Sequence, residues 1–352
     1  MAIKFAINGF GRIGRQSLRA LLEKLHSGFI LPDEIELVAI NDLADAKTLA
    51  HLLKYDSVYG IIDDEITISE KGRHKSFAGE ITLGKISFDV YNEPDPSKLP
   101  WRKLGVDVVI ESTGHFTDRK SALAHIKAGA KKVIISAPAK DDVTKTFIVG
   151  VNSDKITPGD NIISNASCTT NCIAPVMDVL DSEFGIEKSM MTTVHAFTSD
   201  QSLVDGPHRD LRRARAATLN TVPTTTGAAI AATQTLPQLK NKFDGMAIRV
   251  PVAVGSISDI VAVTKDEVTV AQINEAFIKA CASSRWEGII SCTTEPLVSS
   301  DIIGNPYSAI VDLALTQVVD KNLIKVVAWY DNEWGYSNRL IELIVQMGAH
   351  QK

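Results

Sequence analysis

Cysteine is scarce in this 352-residue chain: four residues, too few for a disulfide framework, and the thiols are expected to stay reduced. Basic charge is not in excess either. The 37 Lys and Arg against 42 Asp and Glu leave a net charge of −5, which argues against a protein whose main task is coating nucleic acid or an anionic membrane. No apolar run approaches the ~18 residues that a spanning helix needs. The opening residues hold no signal-peptide core and residues 347–352 carry no retention or lipidation signal, so a cytoplasmic location is expected. Internal repeats, low-complexity tracts and Pro/Ser linkers are missing as well. What is there is 45% hydrophobic residues, a globular composition, over a length that suits about two domains of ~150 residues.

The first half reads as alternating strands and helices. Residues 3–8 are a short apolar run, followed at once by Gly9-Phe10-Gly11-Arg12-Ile13-Gly14. Ile13, Leu18, Leu21, Leu22 and Leu25 then share one helical face, with Arg15, Arg19 and Glu23 off it, until Gly28 and Pro32 stop the helix. Further apolar runs at 35–40, 106–110 and 132–135 continue the rhythm of a parallel sheet. Residues 57–100 are polar, Gly-rich and alternating, as in antiparallel strands appended to such a sheet. From Ser167 the character changes. A helix begins there, strands are expected at 190–198, 246–254, 257–264 and 323–330, a helix near 269–282, and a final helix over 333–347. Strands dominating over alternation predict a mixed sheet. The fold class is therefore α/β: an N-terminal doubly wound dinucleotide-type domain over 1–167, a C-terminal α+β domain over 168–332, and a terminal helix in 333–352.

Three constellations carry chemistry. In the glycine turn, Gly9 permits the tight turn, Gly11 lets a pyrophosphate approach the backbone, and Gly14 lets helix and strand pack closely. The helix start supplies N–H groups and a positive dipole end for the anion. Such a turn alone is equally a plain strand–helix connection, but Asp42 closes the second strand where a carboxylate would bond an adenosine ribose. An acid there favours NAD over NADP, because it repels a 2′-phosphate. The second constellation is Ser164-Asn165-Ala166-Ser167-Cys168-Thr169-Thr170-Asn171-Cys172. A cysteine opening a helix sits where the dipole lowers its pKa and raises its thiolate fraction; a mere helix-cap residue is the alternative. Two thiols at i, i+4 without a second pair do not make a zinc site, so no metal is expected.

A thiolate needs a base or cation beside it, and spacing cannot choose among eight histidines. His195 lies at the end of an apolar strand feeding a loop, a common catalytic address, although a strand histidine is more often structural. His26, His125 and His350 fall on helix-like surfaces and are expected to be solvated. The third constellation, His208-Arg209-Asp210-Leu211-Arg212-Arg213-Ala214-Arg215, could hold phosphate, nucleic acid or another subunit. The lack of interleaved aromatics counts against a nucleic-acid groove. Arg213 and Arg249 are candidates for a phosphorylated small substrate, since a guanidinium fork matches phosphate oxygens.

Taken together, residues 8–15, 164–172, 210–215, 223–229 (Pro-Thr-Thr-Thr-Gly-Ala-Ala) and 329–339 (Trp-Tyr-Asp-Asn-Glu-Trp-Gly-Tyr-Ser-Asn-Arg) resemble the phosphorylating, glycolytic glyceraldehyde-3-phosphate dehydrogenases, in the family's order and over residues 2 to about 348. The resemblance implies NAD as cofactor, glyceraldehyde 3-phosphate and inorganic phosphate as substrates, a homotetramer, and a terminal helix packed back on the first domain. It makes Cys168 the nucleophile and His195 its partner. It places Asn8, Gly9, Gly11, Arg12, Ile13, Gly14, Asp42, Ser136 and Asn332 at the cofactor. It places Ser167, Thr169, Thr198, Arg213, Thr226, Gly227 and Arg249 at the two phosphate groups. Pro207 stands where NAD-using members carry proline, whereas Pro94 replaces a basic residue often found near the adenine half. Erythrose-4-phosphate dehydrogenase is the nearest rival, but its segment matching 224–227 is not a Thr-Thr-Thr-Gly run. A non-enzymatic nucleotide- or RNA-binding role fits only as a second activity.

Overall fold

The computed structural model describes residues 2–69 and 76–349 and separates the chain into two units, 1–147 with 155–166 and 337–352, and 148–154 with 167–336. The first unit runs β1 (Ile3–Asn8), α1 (Arg12–His26), β2 (Ile35–Asn41), α2 (Ala46–Lys54), a short hairpin of β3 (Tyr55–Asp56) and β4 (Gly60–Ile61), then β5 (Ile66–Ser69), β6 (Phe77–Leu83) and β7 (Ile86–Tyr91). It continues through α3 (Trp101–Leu104), β8 (Val108–Glu111), α4 (Arg119–Ala128), β9 (Lys132–Ile135), β10 (Lys145–Thr146) and β11 (Ile162–Ser164). All but the hairpin join one nine-stranded sheet in the order β10-β11-β9-β8-β1-β2-β7-β6-β5.

Phe5, Ile7, Ile40, Val109 and Ile134 on these strands are fully buried, the near-continuous apolar content of strands covered on both faces. β1 lies parallel to β2 on one side and to β8 on the other. The winding therefore reverses at β1, and the carboxyl ends of β1 and β8 frame the crevice where doubly wound sheets bind ligands. The 57–100 segment supplies the appended strands: β6 is antiparallel to β7 and β5 to β6, while β7 joins β2 in parallel.

One expectation on α1 fails. Arg15 and Arg19, read as lying off the packed face, are buried. Arg15 donates to the Phe10 carbonyl at 2.9 Å and Arg19 to the carbonyls of Leu53 at 2.7 Å and Gly60 at 3.1 Å. Backbone carbonyls of the turn before α1, of α2 and of the later hairpin accept from guanidiniums that an apolar stripe alone would leave in water. The terminal helix, α8 (Trp334–Ala349), gives its last turns to this unit. Lys24 Nζ meets Glu342 Oε1 at 3.0 Å, Lys132 Nζ donates to the Met347 carbonyl at 2.9 Å, and Gly348 abuts Ile3 where any side chain would collide. His350 falls outside the described residues.

The second unit opens with α5 (Cys168–Phe184) and β12 (Ile186–Ala196) and continues with β13 (Val222–Thr225), α6 (Ala228–Thr235), β14 (Phe243–Val250), β15 (Ser256–Thr264) and α7 (Val270–Cys281). Strands β16 (Ile290–Thr293), β17 (Ala309–Asp312), β18 (Gln317–Val319) and β19 (Leu323–Tyr330) complete it. The sheet is mixed, as expected, in the order β13-β14-β12-β15-β19-β17-β16 with β18 on β19; β12 runs parallel to β14 and antiparallel to β15. α5 packs on β12, β15 and β19 through its buried Cys172, Ile173, Val176, Met177 and Leu180. Four short strands, β13 and β16 to β18, lie in stretches that the sequence reading left without structure.

Candidate active site

The carboxyl edge of the first sheet gathers the residues expected at a dinucleotide. Gly9 has φ +92°, and a Cβ there would lie 2.6 Å from the Thr113 backbone nitrogen, so only glycine fits between β1 and the end of β8. A side chain at Gly14 would strike the Gly9 carbonyl, whereas one at Gly11 would meet nothing within 4 Å. Gly11 is exposed, caps α1 without a side chain, and leaves the Ile13 and Gly14 end of the helix approachable by an anion. The bare backbone at Gly11 is thus a cradle that fits a pyrophosphate. Asp42 sits beside it: its carboxylate accepts the Phe10 N–H at 2.8 Å and the Ala44 N–H at 3.1 Å. Arg12 at the helix start turns its guanidinium to Asp56, 2.5 Å away. Ser136 follows β9 and donates its N–H to the Glu111 carbonyl at 2.9 Å.

Beneath this turn lies a network that sequence reading missed. Glu111 and His125 are both fully buried, and His125 Nε2 meets Glu111 Oε2 at 2.9 Å. The same carboxylate accepts from Asn8 Nδ2 at 2.6 Å, from the Thr113 N–H at 2.9 Å and from the Thr113 hydroxyl. Trp101 Nε1 donates to His125 Nδ1 at 3.0 Å. His125 was expected on the surface; it is instead the buried member of a polar chain that fixes Asn8 and Thr113 around Gly9. An i, i+3 pattern cannot reveal a partner 14 residues away on another strand.

The second unit holds the thiol. Ala166, just before α5, adopts φ +52°, a left-handed conformation unusual for a residue with a Cβ. Its N–H donates to Ser164 Oγ at 2.9 Å, and Ser167 then caps the helix, its Oγ accepting the Thr170 N–H at 3.1 Å. This turn delivers Cys168 to the first position of α5. Cys168 Sγ lies 3.4 Å from His195 Nε2, while His195 Nδ1 is 2.7 Å from the Ala196 carbonyl. A carbonyl only accepts, so Nδ1 carries the proton and Nε2 presents its lone pair to the thiol. The Tyr330 ring packs edge-on against His195, with centroids 5.9 Å apart, and its hydroxyl bonds Thr169 and Thr193 at 2.8 Å each. Thr169, expected at a phosphate, thus has its hydroxyl engaged in holding this wall.

Burial and the helix start act on the thiol in opposite senses. Burial pushes the Cys168 thiol up, against the pull of the Arg249 charge and the Thr169 N–H. Burial, and then the Arg249 charge, lower His195 to about 3. Cys172, one turn on, is fully buried and its thiol is pushed up by desolvation.

Beside the dyad is an anion cradle. Arg249 Nη1 donates to Thr198 Oγ1 at 2.8 Å and to the Ala196 carbonyl at 3.2 Å. Its Nε is buried and finds no acceptor among the described residues, a donor that suits a phosphate oxygen. Arg213 reaches the same place: Nη1 lies 2.5 Å from Asp200 Oδ2 and Nε 2.9 Å from Thr224 Oγ1. Asp200, which also takes the Thr198 hydroxyl, was not anticipated; it stands as a carboxylate where a substrate anion would compete for the same donors. Thr226 Oγ1 accepts the Ala228 N–H at 3.2 Å, and Gly227 caps α6 with open space around its Cβ position. Asn332 Oδ1 accepts from the Gly255 N–H at 3.1 Å and Ser256 Oγ at 3.0 Å, which fixes the direction of its amide nitrogen. No group of three or more His, Cys, Asp or Glu side chains arranged to hold a metal occurs among the described residues.

Comparison with known proteins agrees with this chemistry. The family model for the NAD binding domain of glyceraldehyde 3-phosphate dehydrogenase matches residues 3–119, and that for its C-terminal domain matches residues 167–332. The chain is 52% identical over 349 residues to glyceraldehyde-3-phosphate dehydrogenase 2 of Streptomyces avermitilis. It is 52% identical over 348 residues to the enzyme of Mycobacterium avium, and 52% over 356 residues to that of Mycobacterium tuberculosis. Each alignment covers 99% of both chains. The chain belongs to the glyceraldehyde-3-phosphate dehydrogenase family.

Proposed function

We infer that the protein catalyses the NAD-dependent oxidative phosphorylation of D-glyceraldehyde 3-phosphate to 1,3-bisphosphoglycerate. The observation that carries this is the 3.4 Å approach of Cys168 Sγ to the lone pair of His195 Nε2, within reach of two arginines. NAD, when bound, supplies the hydride acceptor. Residues 1–167 hold it, with Asn8, Gly9, Gly11, Ile13, Gly14 and Ser136 at the pyrophosphate side, Asp42 on the ribose and Arg12 supporting the turn. Residues 168–332 carry the chemistry, and 333–352 return to the first domain.

His195 Nε2 takes the thiol proton as Sγ attacks the aldehyde carbon, and the alkoxide recovers a proton as the thiohemiacetal forms. The hydroxyl proton then passes to Nε2 as the carbon is oxidised, leaving an acyl thioester on Cys168. Inorganic phosphate attacks the thioester carbonyl, Sγ departs, and the acyl phosphate is released. Arg249, Thr198 and Arg213 hold one phosphate; Ser167, Thr226 and Gly227 hold the other. Binding of a dianion opposes the Arg249 charge that depresses His195, so substrate itself raises the basicity of Nε2. An absorbance assay of NAD reduction with glyceraldehyde 3-phosphate tests the assignment: turnover should require inorganic phosphate, and phosphate-independent steady-state oxidation would overturn it.

The active assembly is a homotetramer in the cytoplasm. Its support is an apolar sheet face that one chain leaves open, where Met190 (68% exposed), Met246 and Leu323 line a concavity of about 610 Å³ with Val261 and Val263. No helix among the described residues is long and apolar enough to cross a membrane. Sedimentation of the wild type and of Met190→Glu tests the tetramer; a wild-type monomer at micromolar concentration would exclude it.

A further inference from the structure

Two thiols outside the active site touch. Cys281 Sγ lies 2.8 Å from Cys292 Sγ, within about 1 Å of a covalent S–S bond (~2.05 Å). Both side chains are partly exposed, unlike Cys172. Their backbones are anchored independently. Cys281 closes α7, which is pinned by the buried Ile273, Ala276 and Phe277. Cys292 lies in β16, paired with Val311 of β17. The intervening turn is tied down by Trp286, which is 5% exposed, and by Arg285, whose Nε donates to the Gly150 carbonyl at 2.9 Å and whose guanidinium stacks 4.4 Å from the Trp286 ring centroid. The sulfurs are therefore held together by packing on both sides rather than by chance rotamers.

We propose that Cys281 and Cys292 form a second, redox-active site, at which hydrogen peroxide converts the dithiol reversibly into an intramolecular disulfide. Either thiol can donate to the other across this contact, and a hydrogen bond from Cys292 stabilises a thiolate on Cys281, lowering its pKa below the ordinary cysteine value. Cys281 is accordingly the attacking sulfur. Its thiolate attacks one peroxide oxygen, the O–O bond breaks, and a sulfenic acid and hydroxide result. Cys292 then attacks the sulfenyl sulfur, the S–O bond breaks, and the second oxygen leaves as water. Two thiols and one peroxide give one disulfide and two waters, the two sulfur electrons having reduced the O–O bond. A small dithiol reverses the reaction by exchange. The reaction uses neither Cys168 nor His195, so it proceeds whether or not the active-site thiol is occupied.

Tryptic mapping of the full-length enzyme reads this directly, because cleavage after Lys279, Arg285 and Lys321 puts the two cysteines on separate peptides, 280–285 and 286–321. After treatment with a few equivalents of hydrogen peroxide and blocking with N-ethylmaleimide, most of the 280–285 peptide should appear joined to 286–321 and lighter by two hydrogens. Dithiothreitol should release it. Cys281→Ser and Cys292→Ser should retain full dehydrogenase activity and lose the link, and in Cys292→Ser the reagent dimedone should trap a sulfenic acid on Cys281. If Cys281 and Cys292 both remain free to react with maleimide while Cys168 has been oxidised, the proposal is overturned. A link between Cys168 and Cys172 alone would overturn it equally.

Discussion

His125 and His195 are removed from solvent to nearly the same degree, at 0% and 3% exposure, and each has both ring nitrogens engaged. Their tautomers are opposite. His125 Nδ1 accepts from Trp101, so its proton is on Nε2 and is spent on Glu111. His195 Nδ1 donates to a backbone carbonyl, so Nε2 keeps a lone pair aimed at a thiol. One ring closes a network and the other leaves it open at the atom where a proton must move. Burial of a histidine is therefore uninformative about catalysis until the partner of each nitrogen is known.

The harshest way to break this comparison is at the open ring. Cys168→Ser should abolish hydride transfer, because an un-ionised hydroxyl is a poor nucleophile at neutral pH. His195→Asn should lower kcat by roughly 10²–10⁴-fold. Stopped-flow NAD reduction measures both. A His195→Asn rate equal to wild type would show that Nε2 moves no proton.

Breaking the closed ring should do the reverse. His125→Leu removes the acceptor of a buried indole N–H and one donor to a buried carboxylate, a loss of about 3 kcal/mol of folding stability. The alkylation rate of Cys168 should stay as in wild type. Urea unfolding and iodoacetamide kinetics on the same preparation separate the two effects; unchanged stability would mean the network contributes nothing.

Arg249→Leu sharpens the electrostatic side. It should cost about 1.5–3 kcal/mol in kcat/KM for glyceraldehyde 3-phosphate, and little for unphosphorylated glyceraldehyde. An equal loss for both aldehydes would disconnect Arg249 from phosphate.

The pH dependence of stability carries the same contrast. The folded His195 is depressed to about 3, so between there and its unfolded pKa of ~6.5 the unfolded chain binds the extra proton. Stability from this group is complete above ~6.5 and declines as pH falls, with a slope of up to about 1.4 kcal/mol per pH unit. Chemical denaturation from pH 7 to 5 should show wild type losing stability more steeply than His195→Asn; parallel curves would contradict it.

The smallest effect belongs to cofactor choice. Asp42→Ser with Pro207→Ser should narrow the preference for NAD over NADP by roughly tenfold, by removing a like charge beside the 2′-position. Specificity constants for both cofactors measure it, and an unchanged ratio would place Asp42 away from the ribose.

What the sequence made legible follows from the range of each interaction. The β1–turn–α1 unit, β2 with Asp42, and the start of α5 at Cys168 are local patterns, and the structure places them as read. Short strands such as β13 and β16 have too few residues for a period to show. The buried state of Arg19 and His125 depends on partners supplied 14 to 41 residues away, whereas Arg15 finds an acceptor five residues back. Asp200 and Tyr330 escaped because their roles depend on Arg213, Thr198 and Thr169, which meet them only in the folded sheet. The burial of Cys168 escaped for a related reason: helix position is visible in the sequence, enclosure is not.

Ala166 bears on when the enzyme meets the cost of aiming its nucleophile. A non-glycine residue held left-handed gives up about 1 kcal/mol relative to its relaxed conformation, and the Ser164 and Ser167 hydroxyls on either side hold the turn in that shape. That cost falls once, when the chain folds, and not at every turnover. A substrate arriving at Cys168 finds the direction of attack already chosen, so its own binding energy need not be drawn on to bend the backbone.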